Sequence, residues 1–278
     1  MTEAQSWWHT GRVSVKPAPV TPAPAATLVL LRDRPTGGFE VLLIQRHHAS
    51  KFAAGDHVFP GGKVESDDVP DDVGRWCPKL AVEVAARALG LAHAPRSALG
   101  YWIGAIREAF EEVGVLLAVD EAGRAARVEP ARLAAYRRAC QADHRAFWDL
   151  LRTERLTLAT DRLTYFAHWI TPEENPIRFD TRFFVAPMPE RQDPVADDHE
   201  ITSVRWLSPR GAFEALTRGE ISLRRPTIAN LQLFDGAASV AEALARLAGR
   251  PIPTIRPRVI EDADGTRRAL LPGDPGWY

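Results

Sequence analysis

Three glutamates share one face of a predicted helix. Glu108, Glu111 and Glu112 stand at relative positions i, i+3 and i+4, so their carboxylates fall within about one helical turn. Like charges this close repel by a few tenths of a kcal/mol per pair, and Arg107 is the basic residue placed to offset them. A divalent cation would remove this repulsion. Clustered carboxylates are typical ligands of Mg²⁺ or Mn²⁺, and the alternative is an acidic face in contact with water.

The other face of this helix is apolar. Apolar residues recur at i, i+3, i+4 and i+7, namely Ile106, Ala109, Phe110 and Val113. This spacing predicts a helix over residues 103–113 that packs on a sheet. Gly114 is the residue type that ends a helix in the left-handed conformation.

A pair of glycines lies upstream, in the segment VFPGGKVE at residues 58–65. Gly61 and Gly62 lack Cβ atoms, so a ligand or a side chain can approach the backbone closely there. On its own, a Pro-Gly-Gly sequence is a common turn.

Taken together, these glycines and the segment REAFEEVGV resemble the Nudix box, G-x5-E-x7-R-E-U-x-E-E-x-G-U, where U is apolar. The matching residues are Gly62, Arg107, Glu108, Ala109, Glu111, Glu112, Gly114 and Val115. Arg107 follows Gly62 by 45 positions instead of 14, so the box is interrupted by about 31 residues. The first box glutamate falls on Asp68 when counted from Gly62, and on Leu99 when counted from Arg107. We expect loop and helix to meet, with residues 67–100 forming a helical excursion between them.

The segment before the box carries a second resemblance. Residues 39–62 are similar to the peroxisomal coenzyme A diphosphatase type, an interrupted-box Nudix subgroup, and to its pattern L-L-T-x-R-[SA]-x3-R-x3-G-x3-F-P-G-G. The matching residues are Leu42, Leu43, Arg46, Gly55, Phe59, Pro60, Gly61 and Gly62. Ile44, His47 and Lys51 replace the threonine, the small residue and the second arginine of this pattern. Similar segments follow at residues 169–172, 178–184, 198–201 and 225–227.

The resemblance implies a Nudix α/β/α sandwich around a mixed sheet, and hydrolysis of a diphosphate linked to a further group. It implies that three glutamates hold Mg²⁺ or Mn²⁺ and that the Gly61 carbonyl is a further ligand; these glutamates are Glu108, Glu111 and Glu112. Glu111 and the loop residue Glu200 are the catalytic candidates, although Glu200 could also belong to an acidic surface turn. Arg107 is expected to orient the glutamates.

Substrate contacts are expected from Arg46, Lys51 and Gly62, because a strand-end Arg and a loop Lys suit anionic groups. Coenzyme A or acyl-coenzyme A is the first substrate candidate. ADP-ribose, NADH and other nucleotides remain alternatives. A second alternative is a non-catalytic Nudix-fold binding module, but such modules tend to lose box glutamates that are present here.

The rest of the chain must supply the elements that hold these groups. Short apolar, β-branched or aromatic runs predict strands at 27–32, 39–45, 164–169, 181–186 and 201–207. Helical spacing predicts helices at 80–91, 103–113, 130–151 and 240–247. This mixed order favours an α/β (α+β) layered domain with helices on both faces of the sheet.

The domain organisation follows from these elements. We expect a flexible Pro-rich segment at 1–25, a Nudix domain at 26–250 and an irregular tail at 251–278. The domain would contain the insertion at 67–100 and extra helices at 130–151. These helices are interpreted as packing or lid elements, and a homodimer contact through them stays open.

Composition limits the partners and the compartment. With 35 Lys and Arg against 36 Asp and Glu, the net charge of −1 lacks the basic surplus typical of proteins that bind nucleic acid or anionic membranes. Cys77 and Cys140 have no metal-site spacing, which favours a reducing cytoplasm. No apolar run approaches the roughly 18 residues of a membrane span. We therefore expect a cytoplasmic enzyme for a small, nucleotide-type substrate.

Overall fold

The computed structural model describes residues 20–50, 53–197, 199–262, 264–265 and 267–275. The strands are β1 (Ala23–Asp33), β2 (Phe39–Arg46), β3 (His57–Val58), β4 (Gly61–Lys63), β5 (Ala118–Val119), β6 (Thr157–Leu158), β7 (Thr164–Ile170), β8 (Phe179–Pro187), β9 (Ile201–Leu207), β10 (Thr254–Ile255), β11 (Arg258–Glu261) and β12 (Arg267–Leu270). The helices are α1 (Val73–Trp76), α2 (Val82–Leu89), α3 (Pro95–Val113), α4 (Pro130–Ala142), α5 (Ala146–Glu154), α6 (Pro209–Thr217), α7 (Arg225–Phe234) and α8 (Val240–Leu247). Short 3₁₀ turns lie at Ser66–Asp68 and Thr160–Arg162.

A mixed sheet occupies the centre of the described residues. Its order is β10-β7-β8-β1-β2-β3, while β4 pairs with β1 and β9 pairs with β2. β1 runs parallel to β8, with Leu28 opposite Phe184, and antiparallel to β2, with Leu31 opposite Val41. The predicted pairing of the first two long strands is confirmed.

Apolar residues on β1 and β2 alternate between two cores. Leu28 and Leu30 point into one core and Val29 and Leu31 into the other, because successive side chains of a strand face opposite ways. These strands are buried on both faces, which explains why they appear as continuous apolar runs in the sequence.

Helices cover both faces of the sheet. The first core is closed by residues from α2, α3, α4 and α5, and the second by residues from α6, α7 and α8. The resulting arrangement is the expected α/β/α sandwich. In the ranges described above, no helix is both long and apolar enough to cross a membrane.

The predicted strands are all present, and two of the five, β1 and β8, are longer than expected by more than one residue. The largest difference is at β1, which begins at Ala23 although residues up to 25 were predicted to be flexible. Ala23 and Pro24 pair with Phe179 and Asp180 on β8, so the sheet orders these residues despite their Pro-rich composition. The remainder of the predicted segment, residues 1–19, lies outside the described residues.

Two helix predictions need correction. α3 begins at Pro95, eight residues before the predicted start, and ends at Val113 as predicted. The helix predicted over 130–151 is two helices, α4 and α5, because the backbone adopts an extended conformation at Asp143. The Asp143 carboxylate accepts a hydrogen bond from the Arg145 amide at 3.0 Å, and the second helix begins at the next residue, Ala146.

The prediction of an irregular tail at 251–278 is wrong for much of the described part. β10 pairs with β7, and β11 and β12 form an antiparallel hairpin. Leu270 is buried, which ties the hairpin to the rest of the molecule. These strands have two to four residues each, too few to show a clear pattern in the sequence.

Candidate active site

The cleft beside the C-terminal half of α3 holds the three box glutamates. It has a volume of about 800 Å³, and its lining includes Glu108, Glu111, Glu112, Gly61 and Gly62. The two halves of the interrupted box therefore line one cleft. The expectation that loop and helix meet is confirmed, and residues 67–100 form the connecting excursion with α1, α2 and the start of α3.

Two close approaches explain the glycine pair. Gly61 has φ +156°, and a Cβ there would lie 2.4 Å from the carbonyl oxygen of Ala26 on β1. The Gly61 amide donates to Glu112 Oε2 at 2.8 Å. At Gly62 a Cβ would lie 2.6 Å from the Glu108 carboxylate. A side chain at either position would force β4 away from β1 or from α3.

Arg107 contacts the acidic residues around it. Its side chain is 3% exposed, and Nε and Nη2 bind the two Asp68 oxygens at 2.7 and 3.1 Å. Nη1 lies 3.0 Å from Glu108 Oε1 and 3.1 Å from Glu111 Oε2. Nη2 also donates to the Lys63 carbonyl at 2.8 Å. Arg107 is therefore placed to hold two glutamates of α3 against β4 and the 3₁₀ turn.

Asp68 stands where counting forward from Gly62 put the first acidic residue of the box. It is 1% exposed, and its Oδ2 accepts the Glu65 amide at 2.8 Å, which fixes the 3₁₀ turn. Leu99, the residue found by counting back from Arg107, is buried in the apolar core. The insertion thus follows the acidic position, and an aspartate pairs with Arg107 there.

Burial dominates the electrostatics of the cluster. It raises the pKa of Glu111 to about 7, although Arg107 opposes the shift. Burial also raises the pKa of Glu108 against the effect of Arg107. Burial and the charge of Glu108 together raise the pKa of Glu112 well above its ordinary value. In all three carboxylates the effect of burial on the pKa exceeds the opposing effect of the nearby arginines.

The cluster has the donor chemistry of a divalent-cation site. Glu111 Oε1 is buried and has no hydrogen-bond partner among the described residues. Carboxylate oxygens suit Mg²⁺ and Mn²⁺, and a cation would offset the charge repulsion and burial that raise these pKa values. As the side chains stand, no group of three or more His, Cys, Asp or Glu in the described ranges is arranged to hold a metal ion. Contacts from Arg107, Arg46 and the Gly61 amide occupy carboxylate oxygens that a cation would use.

Arg46, Glu200 and Lys51 differ in how the structure places them. Arg46, at the end of β2, lines the cleft and its Nη1 lies 3.4 Å from Glu112 Oε1. Glu200 is exposed on the same cleft, and its charge contributes to the raised pKa of Glu108 and Glu112. Lys51 lies outside the described residues. Of the residues that the structure describes, all the predicted site residues line this one cleft.

The rest of the cleft lining is largely apolar, with positive charge from the start of α7. One apolar part of this lining lies on β7, β8 and the C-terminal hairpin and consists of Trp169, Ile170, Phe179, Phe183, Val259 and Ala269. Arg224 and Arg225 lie on the same cleft, and Arg224 pairs with Asp56 at 2.6 Å. Sequence reasoning assigned no role to Arg225 or the hairpin. The Arg-Pro-Thr segment at 225–227 was the available signal for the former.

Comparison with known proteins identifies the family. A family model described as the NUDT19 Nudix domain matches residues 92–234, which is more than half of the chain. The chain belongs to the NUDT19 Nudix family. The Homo sapiens protein named acyl-coenzyme A diphosphatase NUDT19 is 29% identical, over 94% of this chain and 82% of its own length. The Gallus gallus protein of the same name is 30% identical, over 85% of this chain and 72% of its own length.

A solved structure extends the similarity to the fold. The crystal structure of a Nudix hydrolase from Alicyclobacillus acidocaldarius superposes with a TM-score of 0.66 at 25% identity, covering 83% of this chain and 99% of that one. As a member of the NUDT19 Nudix family with all three box glutamates on one cleft, the chain is a Nudix hydrolase that cleaves a diphosphate linkage.

Proposed function

We propose that this chain hydrolyses the diphosphate of coenzyme A or acyl-coenzyme A with the help of Mg²⁺ or Mn²⁺. The observation that carries the proposal is the composition of one cleft. It combines the three glutamates of α3 with Arg225 and an apolar wall that includes Trp169 and Val259. Coenzyme A has the matching parts, namely a diphosphate, a further phosphate on its ribose and a long pantetheine arm.

The named relatives support this substrate. The human and chicken proteins carry the name acyl-coenzyme A diphosphatase, and each aligns with more than four fifths of this chain. The matching positions before the box, among them Arg46 and Gly55, point to the same class.

In this proposal the glutamates of α3 hold the cation. Glu108, Glu111 and Glu112 provide carboxylate oxygens, and the Gly61 carbonyl is the further ligand that the family resemblance implies. When bound, a divalent cation neutralises the diphosphate and polarises the phosphorus under attack. Arg107 keeps Glu108 and Glu111 in position, because its Nη1 bonds to both.

The chemical step consumes one water. Its oxygen bonds to one phosphorus, the bridging P–O bond breaks, and the products are 3′,5′-ADP and a 4′-phosphopantetheine compound. Glu200 is the proposed acceptor of the water proton, because it is exposed on the cleft while Glu111 is engaged by Arg107. A carboxylate in this role is ordinary for general base catalysis.

The proposed environment of the substrate follows the cleft lining. Arg225, exposed at the start of α7, provides positive charge for a ribose phosphate. The Trp169 and Val259 side of the cleft accommodates the pantetheine arm and its acyl group. Arg46 contacts phosphate in this proposal once its contact with Glu112 is released. Lys51 is retained as a predicted contact on the sequence pattern alone.

A product-resolved kinetic comparison tests the proposal. The measurement is kcat/KM for coenzyme A, an acyl-coenzyme A, ADP-ribose and NADH, with Mg²⁺ and with Mn²⁺. We expect the coenzyme A compounds to be preferred and Glu112→Gln to be inactive on each substrate. A tenfold preference for ADP-ribose or NADH, about 1.4 kcal/mol in the transition state, would contradict the substrate assignment. Absence of turnover with every compound would instead favour the binding module.

A further inference from the structure

The last turn of α3 carries two of the proposed metal ligands. Carbonyl groups at a helix C-terminus lack partners within the helix. Here the Gly114 amide donates to the Phe110 carbonyl at 2.9 Å, and the Val115 amide donates to the Ala109 carbonyl at 3.3 Å. These two bonds close the helix in the usual way after a left-handed glycine. The carbonyls of Glu111 and Glu112 come next along the chain and need other partners.

Those partners are side chains of α4. Arg137 Nε donates to the Glu111 carbonyl at 3.0 Å and Nη2 donates to the Glu112 carbonyl at 2.6 Å. Gln141 Nε2 also donates to the Glu111 carbonyl, at 2.9 Å. Arg137 and Gln141 are four residues apart, so they lie on one face of α4. One face of α4 therefore binds the backbone of two consecutive box glutamates.

We propose that Arg137 is a positioning residue of the active site and that Gln141 assists it. Both act through the backbone of Glu111 and Glu112; Arg137 is outside the cleft lining, whereas Gln141 is part of it. This inference rests on the proposed function, in which these two glutamates hold the cation. It gives α4 a role in the reaction, where the sequence indicated only an extra packing or lid helix.

The geometry explains why this contact would matter for chemistry. The direction of each carboxylate depends on the orientation of its own peptide unit, so fraying of the last turn would move both ligands together. Displacements of about 1 Å are enough to slow enzymatic reactions strongly. The planar guanidinium binds two carbonyls at once, whereas a lysine ammonium is a single point charge. An added Cβ at Gly114 would lie 3.5 Å from Arg137 Nη1, so the guanidinium lies close over the end of the helix.

Gln141 also connects this helix end to the turn that carries Glu200. Its Nε2 lies 3.4 Å from Asp197 Oδ2. Asp197 Oδ1 accepts the amides of His199, Glu200 and Ile201 at 2.9 to 3.0 Å. The same face of α4 thus contacts the two elements that bring carboxylates to the cleft.

The experiment uses four variants of the full chain. Arg137→Met removes the paired donors, Arg137→Lys keeps the charge, and Gln141→Met removes the assisting donor. Arg138→Met is the matched control, because Arg138 is the next residue of α4 and is exposed. The readouts are amide hydrogen exchange at Gly114 and Val115 in metal-free protein, the Kd for Mn²⁺, and kcat and KM for coenzyme A.

We expect Arg137→Met to accelerate exchange at both amides and to weaken Mn²⁺ binding by about tenfold, at the lower end for residues that support metal ligands. The kcat should fall while KM stays near that of the unaltered protein. Arg137→Lys should recover part of both losses, and Gln141→Met should show a smaller loss of the same kind. Arg138→Met should match the unaltered protein in every readout.

Normal Mn²⁺ affinity and kcat in folded Arg137→Met would overturn the inference. If Arg137→Met does not fold, the test uses Gln141→Met, a change at an exposed residue, together with Arg137→Lys. Unchanged Mn²⁺ affinity in both of these variants would overturn the inference. Failure of the proposed function looks different. In that case the unaltered protein would bind Mn²⁺ no better than Glu112→Gln or would not cleave coenzyme A at all.

Discussion

Asp68 and Arg107 form a buried ion pair with two hydrogen bonds. Asp68→Ala would leave the Arg107 charge buried with less compensation. Removing one partner of a buried pair costs about 3–5 kcal/mol, so we expect a loss of that size in the free energy of unfolding. Urea denaturation measures it. Asp67→Ala is the control, since the Asp67 carboxylate is exposed and a loss of similar size there would argue against a special role for Asp68.

Glu112 is the glutamate of the cluster with the least exposed side chain, at 6%. Glu112→Gln keeps the shape of the side chain but removes the charge that a cation needs. We expect kcat to fall by more than about 100-fold, because losing a ligand exceeds the 10 to 100-fold effects of supporting residues. Steady-state kinetics at saturating Mg²⁺ provides the measurement. Glu83→Gln on the exposed side of α2 should be fully active, and equal activity in the two variants would exclude Glu112 from the metal site.

Glu111 predicts how metal binding depends on pH. Its pKa of about 7 in the metal-free protein means that Mn²⁺ must displace a proton at pH 6 but not at pH 8. Mn²⁺ affinity should therefore rise across this interval, as measured by titration calorimetry. Glu111→Gln should flatten the curve. An affinity independent of pH in the unaltered protein would count against Glu111 as a ligand.

The raised pKa of Glu111 makes the stability of the metal-free protein fall with rising pH, whereas it makes Mn²⁺ affinity rise. The pKa of Glu111 is higher in the folded protein than in the unfolded chain, so the folded state binds the proton more tightly. The resulting contribution to the free energy of unfolding is fully present below the pKa that Glu111 has in the unfolded chain. It is lost as the pH rises through about 7, the pKa in the folded protein. The metal-free protein should melt at a higher temperature at pH 6 than at pH 8, with Glu111→Gln reducing the difference. Saturating Mn²⁺ should reduce or reverse it.

Helices with a clear apolar and polar periodicity could be predicted from the sequence. Helical segments that are buried on all sides, and very short strands, could not. The C-terminal half of α3 has one apolar and one acidic face and was predicted correctly. Its N-terminal half was missed because Leu99, Tyr101 and Trp102 are all buried, so no polar face reveals the helical period. Two helices after β9 were also missed, although Ser208 before Pro209 is a helix-start signal. The Ser208 hydroxyl accepts the Gly211 amide at 3.0 Å.

The C-terminal hairpin leads to a prediction about the substrate. Val259 on β11 lines the cleft, whereas its neighbour Ile260 is not part of the lining. Val259→Ser should weaken binding of a long-chain acyl-coenzyme A by about 1 kcal/mol, the free energy of roughly one buried CH₂ group. The corresponding severalfold rise in KM should be smaller for free coenzyme A. Ile260→Ser serves as the control, and equal KM values for the two variants would place the acyl group elsewhere.

For the whole molecule, the site could be predicted best where its residues are close together in the sequence and lie on one helix. The glutamates on α3 are local in sequence, so helical spacing alone grouped them. The contacts that complete the site join distant positions, such as Gly61 with Glu112 and Gln141 with Asp197. The box pattern implied that the loop with Gly61 meets the helix with Glu112, but not this hydrogen bond. No local pattern reports the second, which depends on how α4 packs across the end of α3.

The excursion between the two halves of the box has an architectural consequence. Asp68 at its start bonds directly to Arg107 beyond its end, so the site does not need the covalent connection between them. A break in the exposed turn at Ala92 and His93 would leave two fragments that share one sheet and one cleft. Such fragments, expressed together, should reassemble into an active enzyme. The same closeness would let this segment change length during evolution without disturbing the carboxylates, since longer loops add little closure entropy.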